Sequence, residues 1–288
     1  MRIGIAIKPG LAEARDTLEG IERWLVSHQV EAIWEPEAAE LLAAGDRPIA
    51  ERADLPRTAD LVMVLGGDGT LLALAKAIAE TNRDIPILAV NFGSLGFLTE
   101  ITRPEIYASL DAVLAGTAEH DQRMMLRAIA NRTGAPPTTH CALNDIVFTR
   151  TALSRMIDLA VWVGDQFVAS VRADGLIVAS PTGSTAYNLA AGGPIVHPAM
   201  DALVLTPIAP HTLTNRPIVI PAERDVRVMS NSANAGNIYV TFDGQTGFEM
   251  QEGDEIYIAR APRPLRLVRS SSRSYFEVLR QKLKWNER

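Results

Sequence analysis

Two hydrophobic periods alternate over the first 120 residues. The opening "MRIGIAIK" packs apolar positions closely and predicts a strand, whereas "ARDTLEGIERWLVSHQ" sets Leu18, Ile21, Leu25 and Val26 at helical spacing. A second strand is expected at "EAIWE" and a third at "ADLVMVLG", apolar on both faces as a central parallel strand is. A helix over "TLLALAKAIAE", a strand at "IPILAVN" and a helix over "RPEIYASLDAVLAG", stopped by Gly116, follow. This alternation predicts an α/β domain over residues 1–120, with a doubly wound, mostly parallel sheet.

The rhythm changes near Asp121. "RMMLRAIAN", "HCALNDIVFTR", "MIDLAVWVGDQFVASVRA", "DGLIVAS", "PIVIPA", "DVRVMS", "NIYVTFDGQ" and "DEIYIARA" are short, rich in Val and Ile, and broken by turn pairs at 164–165 and 243–244. Residues 121–270 are therefore expected to form an all-β domain of mostly antiparallel strands. The tail, 271–288, predicts a helix with Phe276, Leu279 and Leu283 on one face. A helix this short is marginal alone, so it is expected to pack back on the N-terminal domain.

The composition, 47% hydrophobic and 22% charged over 288 residues, is that of a globular chain. No apolar run approaches the ~20 residues of a membrane span, and the strand pattern at residue 2 leaves no room for a signal peptide. A single cysteine, Cys141, fits a reducing cytoplasm and reads as a small buried residue. The net charge of −6 argues against nucleic acid as a partner. One stretch departs from it: Arg260 to Arg288 holds nine Lys/Arg against two Glu. That is either a solvated basic face or a docking surface for an acidic partner or subunit.

Chemistry is concentrated first in "GGDGT", where Gly66, Gly67, Gly69 and Thr70 join the apolar strand to a helix. A helix start leaves about four N–H groups unpaired, and glycines let phosphate approach them. The turn is neither a P-loop, which needs Lys-Ser/Thr after its last glycine, nor the dinucleotide G-x-G-x-x-G. Asp68 within it has two readings: a cap for the helix, or a general base that takes the proton of a hydroxyl attacking a phosphoryl group. A second cluster, "LNDIVFTR" and "VRADGLIVASPTGSTAYNLAAGGPIVHP", is dense in hydroxyls, amides and small residues, which suits a polar ligand.

With "NFGSLGFL", "LTPIAPHTLTNRPIVI" and "DGQ" in the same order, these segments make the chain resemble the NAD kinase family over almost its whole length. The resemblance implies transfer of the γ-phosphoryl of ATP to the adenosine-ribose 2′-hydroxyl of NAD, giving NADP. It matches Asp68 to the aspartate that activates that hydroxyl, with Gly69 beside it at the phosphates. Phe97 matches an aromatic against the adenine, and Asn144 and Asp145 match an Asn-acid pair at the adenosine, with Asp where many relatives carry the longer Glu. Arg172 falls at a phosphate-contacting arginine, and Asp174, Thr185, Ala186 and Tyr187 fall on a segment lining the nicotinamide and adenine sites. Gln245 matches a polar residue near the new 2′-phosphate. The resemblance further implies Mg²⁺ carried on the donor phosphates without a dedicated protein cage, no membrane partner, and a homodimer or homotetramer. Two alternatives carry less of the sequence. A lipid or small-alcohol kinase shares "GGDGT" but needs no "PTGSTAYNLAAGGP" loop, and a non-catalytic NAD(P)-binding regulator has little use for Asp68.

Overall fold

The computed structural model describes residues 1–81, 83–93, 95–150, 156–212, 214–231, 238–270 and 272–285. The chain divides into two compact units, Met1–Gln122 with Leu265–Arg288, and Arg123–Pro264.

The first unit is built on strands β1 (Arg2–Ile7), β2 (Glu31–Trp34), β3 (Leu61–Gly66), β4 (Ile87–Asn91) and β5 (His120–Arg123), with helices α1 (Arg15–Ser27), α2 (Pro36–Glu40), α3 (Leu55–Thr58), α4 (Asp68–Thr81) and α5 (Ile106–Leu114) between them. β1 lies between β2 and β3, and β4 pairs with the other edge of β3, all in parallel. All six residues of β3 are buried, as its two-faced apolar pattern requires. Ile3, Ile5 and Ile7 point to the face covered by α1 and α5, where Leu18, Ile21, Leu25, Ile106 and Leu110 close a core. Gly4, on the other face, packs against α3: a Cβ there would sit in van der Waals contact, 3.4 Å from Leu55 and Ala59. Val26, grouped by spacing with the buried stripe of α1, is 74% exposed; it sits a further 100° round the helix from Leu25. Gly116 ends the segment after α5 with φ +69°, as its stop position required.

The second unit holds β6 (Leu126–Asn131), β7 (Thr138–Ala142), β8 (Asp145–Arg150), β9 (Ile157–Val163), β10 (Gln166–Ala173), β11 (Gly175–Ala179), β12 (Ala202–Ile208), β13 (Ile218–Pro221), β14 (Val226–Ser230), β15 (Ile238–Phe242), β16 (Thr246–Glu249) and β17 (Glu255–Arg260), with the short helix α6 (Tyr187–Ala190). They form two six-stranded sheets, ordered β10-β9-β14-β17-β6-β7 and β13-β12-β11-β8-β15-β16, and the pairs within them are antiparallel. One apolar core joins them, with Leu159, Val161 and Val228 from the first sheet and Phe148, Leu176 and Phe242 from the second. The turn pairs at 164–165 and 243–244 do close hairpins, with Gly164, Asp243 and Gly244 all at positive φ.

Three expectations change. The stretch 140–150 is two strands rather than one, because Leu143 and Asn144 leave the ladder between β7 and β8. Cys141, on the outermost strand of its sheet, is only half-buried. Within residues 121–270, β18 (Leu265–Val268) adds instead to the first unit's sheet, in parallel beside β4, and carries the chain back there before the tail helix. That helix, α7 (Tyr275–Leu283), starts with a capping box between Ser274 and Glu277 and ends at Lys284 in the left-handed region. Its buried residues are Val278 and Leu279, leaving Phe276 at 57% exposed, on the rim of the apolar stripe. Glu105 anchors the tail: Ser270, Ser272 and Arg273 all bond its carboxylate, as do the amide and hydroxyl of Thr102. Burial alone would raise the pKa of Glu105; the hydroxyls of Ser272, Thr102 and Ser270 and the Thr102 amide outweigh it and hold the group near 2.

Candidate active site

In an open α/β sheet, ligands bind beyond the carboxyl ends of the strands. The first unit has a cavity of about 490 Å³ there, lined by Lys8 after β1, by Gly66–Thr70 after β3 and by Asn91–Gly93 after β4. Gly67 caps α4, its carbonyl accepting the amides of Thr70 at 3.0 Å and Leu71 at 3.3 Å. A Cβ on Gly67 or Gly69 would meet no side chain or more distant backbone within 4 Å.

Asp68 does not cap the helix with its carboxylate. Oδ2 accepts the amide of Phe97 at 2.9 Å, and Oδ1 accepts the amides of Leu98 and Thr99 at 3.2 and 3.1 Å and the Thr99 hydroxyl at 3.0 Å. Four donors fix its rotamer, and Oδ2 keeps an acceptor position open. The loop that supplies them is tied in turn by Asn91, whose amide donates to the Thr99 hydroxyl at 3.1 Å and whose oxygen accepts the Gly93 amide at 2.6 Å. Gly96 leaves room for this: a Cβ there would fall 2.0 Å from Oδ1 of Asp68. Half-buried Phe97 follows at once, with the Lys282 ammonium 5.8 Å from its ring centre.

In the second unit three strand ends converge. β8 begins at Asp145 opposite Ala179, the last residue of β11, while Phe242 ends β15 beside Ile146. The Asp243 carboxylate, one residue on, accepts the amides of Leu143, Asn144 and Asp145 at 2.7, 2.7 and 3.1 Å. Ser180 binds the same corner from the other side, its amide donating to the Asn144 carbonyl and its hydroxyl to that of Leu143. Gly183 packs so closely that a Cβ would lie 2.0 Å from the Asn144 carbonyl oxygen. Asn188 locks the loop after Ser184, donating to the carbonyls of Ser184 and Pro194 and accepting from Thr206 at 2.6 Å. The buried hydroxyl of Thr182 has no partner among the described residues.

Two carboxyls meet here, Asp145 buried and Asp243 half-buried. Burial, reinforced by the charge of Asp243, raises Asp145 to about 7. Burial also raises Asp243, against the lowering effect of its three amide bonds.

Of the residues singled out by sequence, Gly66, Gly67, Asp68, Gly69, Thr70 and Phe97 gather in the first unit. Asn144, Asp145, Thr185, Ala186, Tyr187 and Gln245 gather at one end of the β11-β8-β15 strands. Tyr187 is 44% exposed and not a core residue. Asp174 lies at the opposite end of β11, roughly 20 Å along the extended chain from Ser180, and Arg172 two residues further back, on β10. There Arg172 pairs with Asp158 at 3.1 Å and Asp174 with Arg150 at 3.2 Å. Sequence reasoning passed over Asn91, Gly96, Thr99 and Asp243, although "NFGSLGFL" and "DGQ" contain three of them. Among the described residues, no three or more His, Cys, Asp or Glu side chains gather to hold a metal ion, and no helix is long and apolar enough to cross a membrane.

Residues 3–118 match the family model of the ATP-NAD kinase N-terminal domain, and residues 143–270 that of the ATP-NAD kinase C-terminal domain. An NAD kinase of Geotalea daltonii is 48% identical over 270 residues, covering 94% of this chain and 93% of the relative. One from Geobacter sp. (strain M21) is 46% identical over 288 residues, or 100% and 99% of the two chains. Among solved structures, yeast NADH kinase complexed with NADH superposes with a TM-score of 0.90 at 27% identity, over 100% of this chain and 89% of that one. An NAD kinase from Archaeoglobus fulgidus in complex with ATP gives 0.76 at 26% identity, over 98% and 99%.

Proposed function

This chain belongs to the ATP-NAD kinase family, and from that premise we propose that Asp68 is the general base of its reaction. The protein is an NAD kinase, which phosphorylates NAD to NADP with ATP as donor. As the 2′-oxygen of NAD bonds to the γ-phosphorus, the bond from that phosphorus to the β,γ-bridging oxygen breaks and ADP leaves. The hydroxyl proton passes to Asp68. Such transfer needs positioning and charge neutralisation more than covalent chemistry from the protein.

The observation that carries the assignment is the set of four donors on the Asp68 carboxylate. They hold it rigidly beside the glycine turn and leave one acceptor position on Oδ2 for a substrate hydroxyl. Gly67, Gly69 and Thr70 are assigned to the donor phosphates. Magnesium is assigned to the same phosphates, since the described residues offer no cage of acidic or imidazole ligands.

Asn144 and Asp145 are assigned to the adenosine, and Thr185, Ala186 and Tyr187 to the walls around NAD, with Phe97 against the adenine. Tyr187 suits this because its ring is already exposed. Arg172, Asp174 and Gln245 are assigned to polar contacts with substrate or product. Arg172 and Asp174 would have to exchange their present ion pairs for them.

A homodimer or homotetramer is the assembly we infer, supported by apolar side chains left exposed on outer strands, Phe167 and Val168 on β10 and Ile218 and Val219 on β13. The direct test of the base is Asp68→Asn assayed for NADP from NAD and Mg-ATP beside the wild type. Loss of turnover with retained folding supports the assignment, and unchanged turnover removes it.

A further inference from the structure

Four of the nine basic residues in the tail singled out by sequence are in ion pairs. Arg266 pairs with Asp84 at 2.7 Å, Arg269 with Glu119 at 3.5 Å and Arg273 with Glu105 at 3.2 Å, all within the first unit. Arg260, in the second unit, pairs with Asp201 at 2.8 Å. Lys282 does something else. It stands in the last turn of α7 and lines the 490 Å³ cavity, half-buried, with its ammonium near the Phe97 ring. Lys8 reaches the same cavity from the end of β1, its amide fixed to the Leu65 carbonyl at 2.8 Å. Among the described residues neither lysine is in an ion pair. The two carboxylates that line the cavity are engaged elsewhere: Asp68 by its four donors, and Glu13 by Arg103 at 3.8 Å.

Two ammonium groups without carboxylate partners among the described residues, lining one cavity with the glycine turn, make a site for a multiply charged anion. We infer that Lys282 and Lys8 bind the phosphate chain of the donor, which makes the C-terminal helix a working part of the kinase site. The inference rests on the kinase reading of the same cavity, and it assigns both lysines to phosphate and neither to NAD. A lysine acts as a point charge on phosphate and reads no base, so both contacts are indifferent to the nucleoside of the donor.

The test compares Lys282→Gln, Lys8→Gln and Lys282→Arg with the full-length wild type. Each glutamine variant is expected to raise the KM for ATP about tenfold, with the KM for NAD within twofold of wild type. Lys282→Arg is expected to recover most of the loss, because it restores charge without restoring shape. Binding of inorganic tripolyphosphate, measured by calorimetry without NAD, is expected to weaken about tenfold in both glutamine variants. An unchanged KM for ATP in both, a parallel rise in the KM for NAD, or an arginine variant as impaired as glutamine would overturn the assignment. Wild-type protein that binds tripolyphosphate through these lysines but makes no NADP would sink the kinase reading and leave the phosphate site standing.

Discussion

Gly69 shows how a single residue separates a demand of the fold from a demand of a ligand. It lies in the first turn of α4, it is exposed, and a methyl group on it would touch no protein atom. Alanine is a better helix former than glycine by about 0.8–1.0 kcal/mol, so Gly69→Ala should leave the melting temperature unchanged or slightly higher. If the donor phosphates bind at this turn as proposed, the same methyl would stand in their way. The expected result is a fall of tenfold or more in kcat/KM for ATP in a protein at least as stable as wild type. Unaltered kinetics would mean that phosphate does not approach at this position. Gly96 is the opposite case, since a Cβ there would strike Asp68 itself, and its substitution would damage fold and chemistry together.

At the scale of elements, the meeting of β8, β11 and β15 ends stores a titratable strain. Buried Asp145 lies near half-buried Asp243, and Asp145 is held near 7 against 3.8 for an unburied aspartate. The folded chain keeps that proton up to about pH 7, whereas the unfolded chain releases it near 4. Folding therefore takes up a proton between those limits. The contribution is fully present below pH 4 and is lost as pH rises through 7. Asp145→Asn removes the ionisable group, so its denaturation midpoint relative to wild type is expected to rise between pH 5 and pH 8. A difference independent of pH would refute the assignment of the raised group to Asp145.

Elements were legible in the sequence wherever one periodicity ran undisturbed, as in β1, α1, β3 and α4. What local pattern could not say is where a short apolar run goes. "LRLV" reads as a strand either way, and only pairing with β4, nearly two hundred residues upstream, puts it in the parallel sheet. The candidate site follows the same division. "GGDGT" was visible as a strand-to-helix glycine turn because strand, glycines and helix are contiguous. The partners of the Asp68 carboxylate lie 29–31 residues away, and Asp243 holds a corner 98–100 residues distant. No spacing rule connects such pairs. Nor does the 3.6-residue period tell the centre of an apolar stripe from its rim, which is why Val26 and Phe276 proved exposed.

Across the whole molecule, the first unit carries the glycine turn and the fixed Asp68 carboxylate, and the second a hydroxyl-rich loop tied to the ends of β8, β11 and β15. The outer strands β10 and β13 keep Phe167, Val168, Ile218 and Val219 exposed, the surface on which the proposed assembly rests. Light scattering on the purified protein is expected to give two or four times the mass of one chain, and the mass of a single chain would contradict that assembly. The central claim concerns Asp68, and its most direct measurement is the turnover of Asp68→Asn with NAD and Mg-ATP. Asparagine keeps an oxygen for Leu98 and Thr99 and gives up the bond from Phe97, so folding and the KM for NAD should stay close to wild type. If Asp68 is the base, kcat falls by about 10²–10⁴-fold. Turnover within tenfold of wild type in a folded, NAD-binding variant would contradict it.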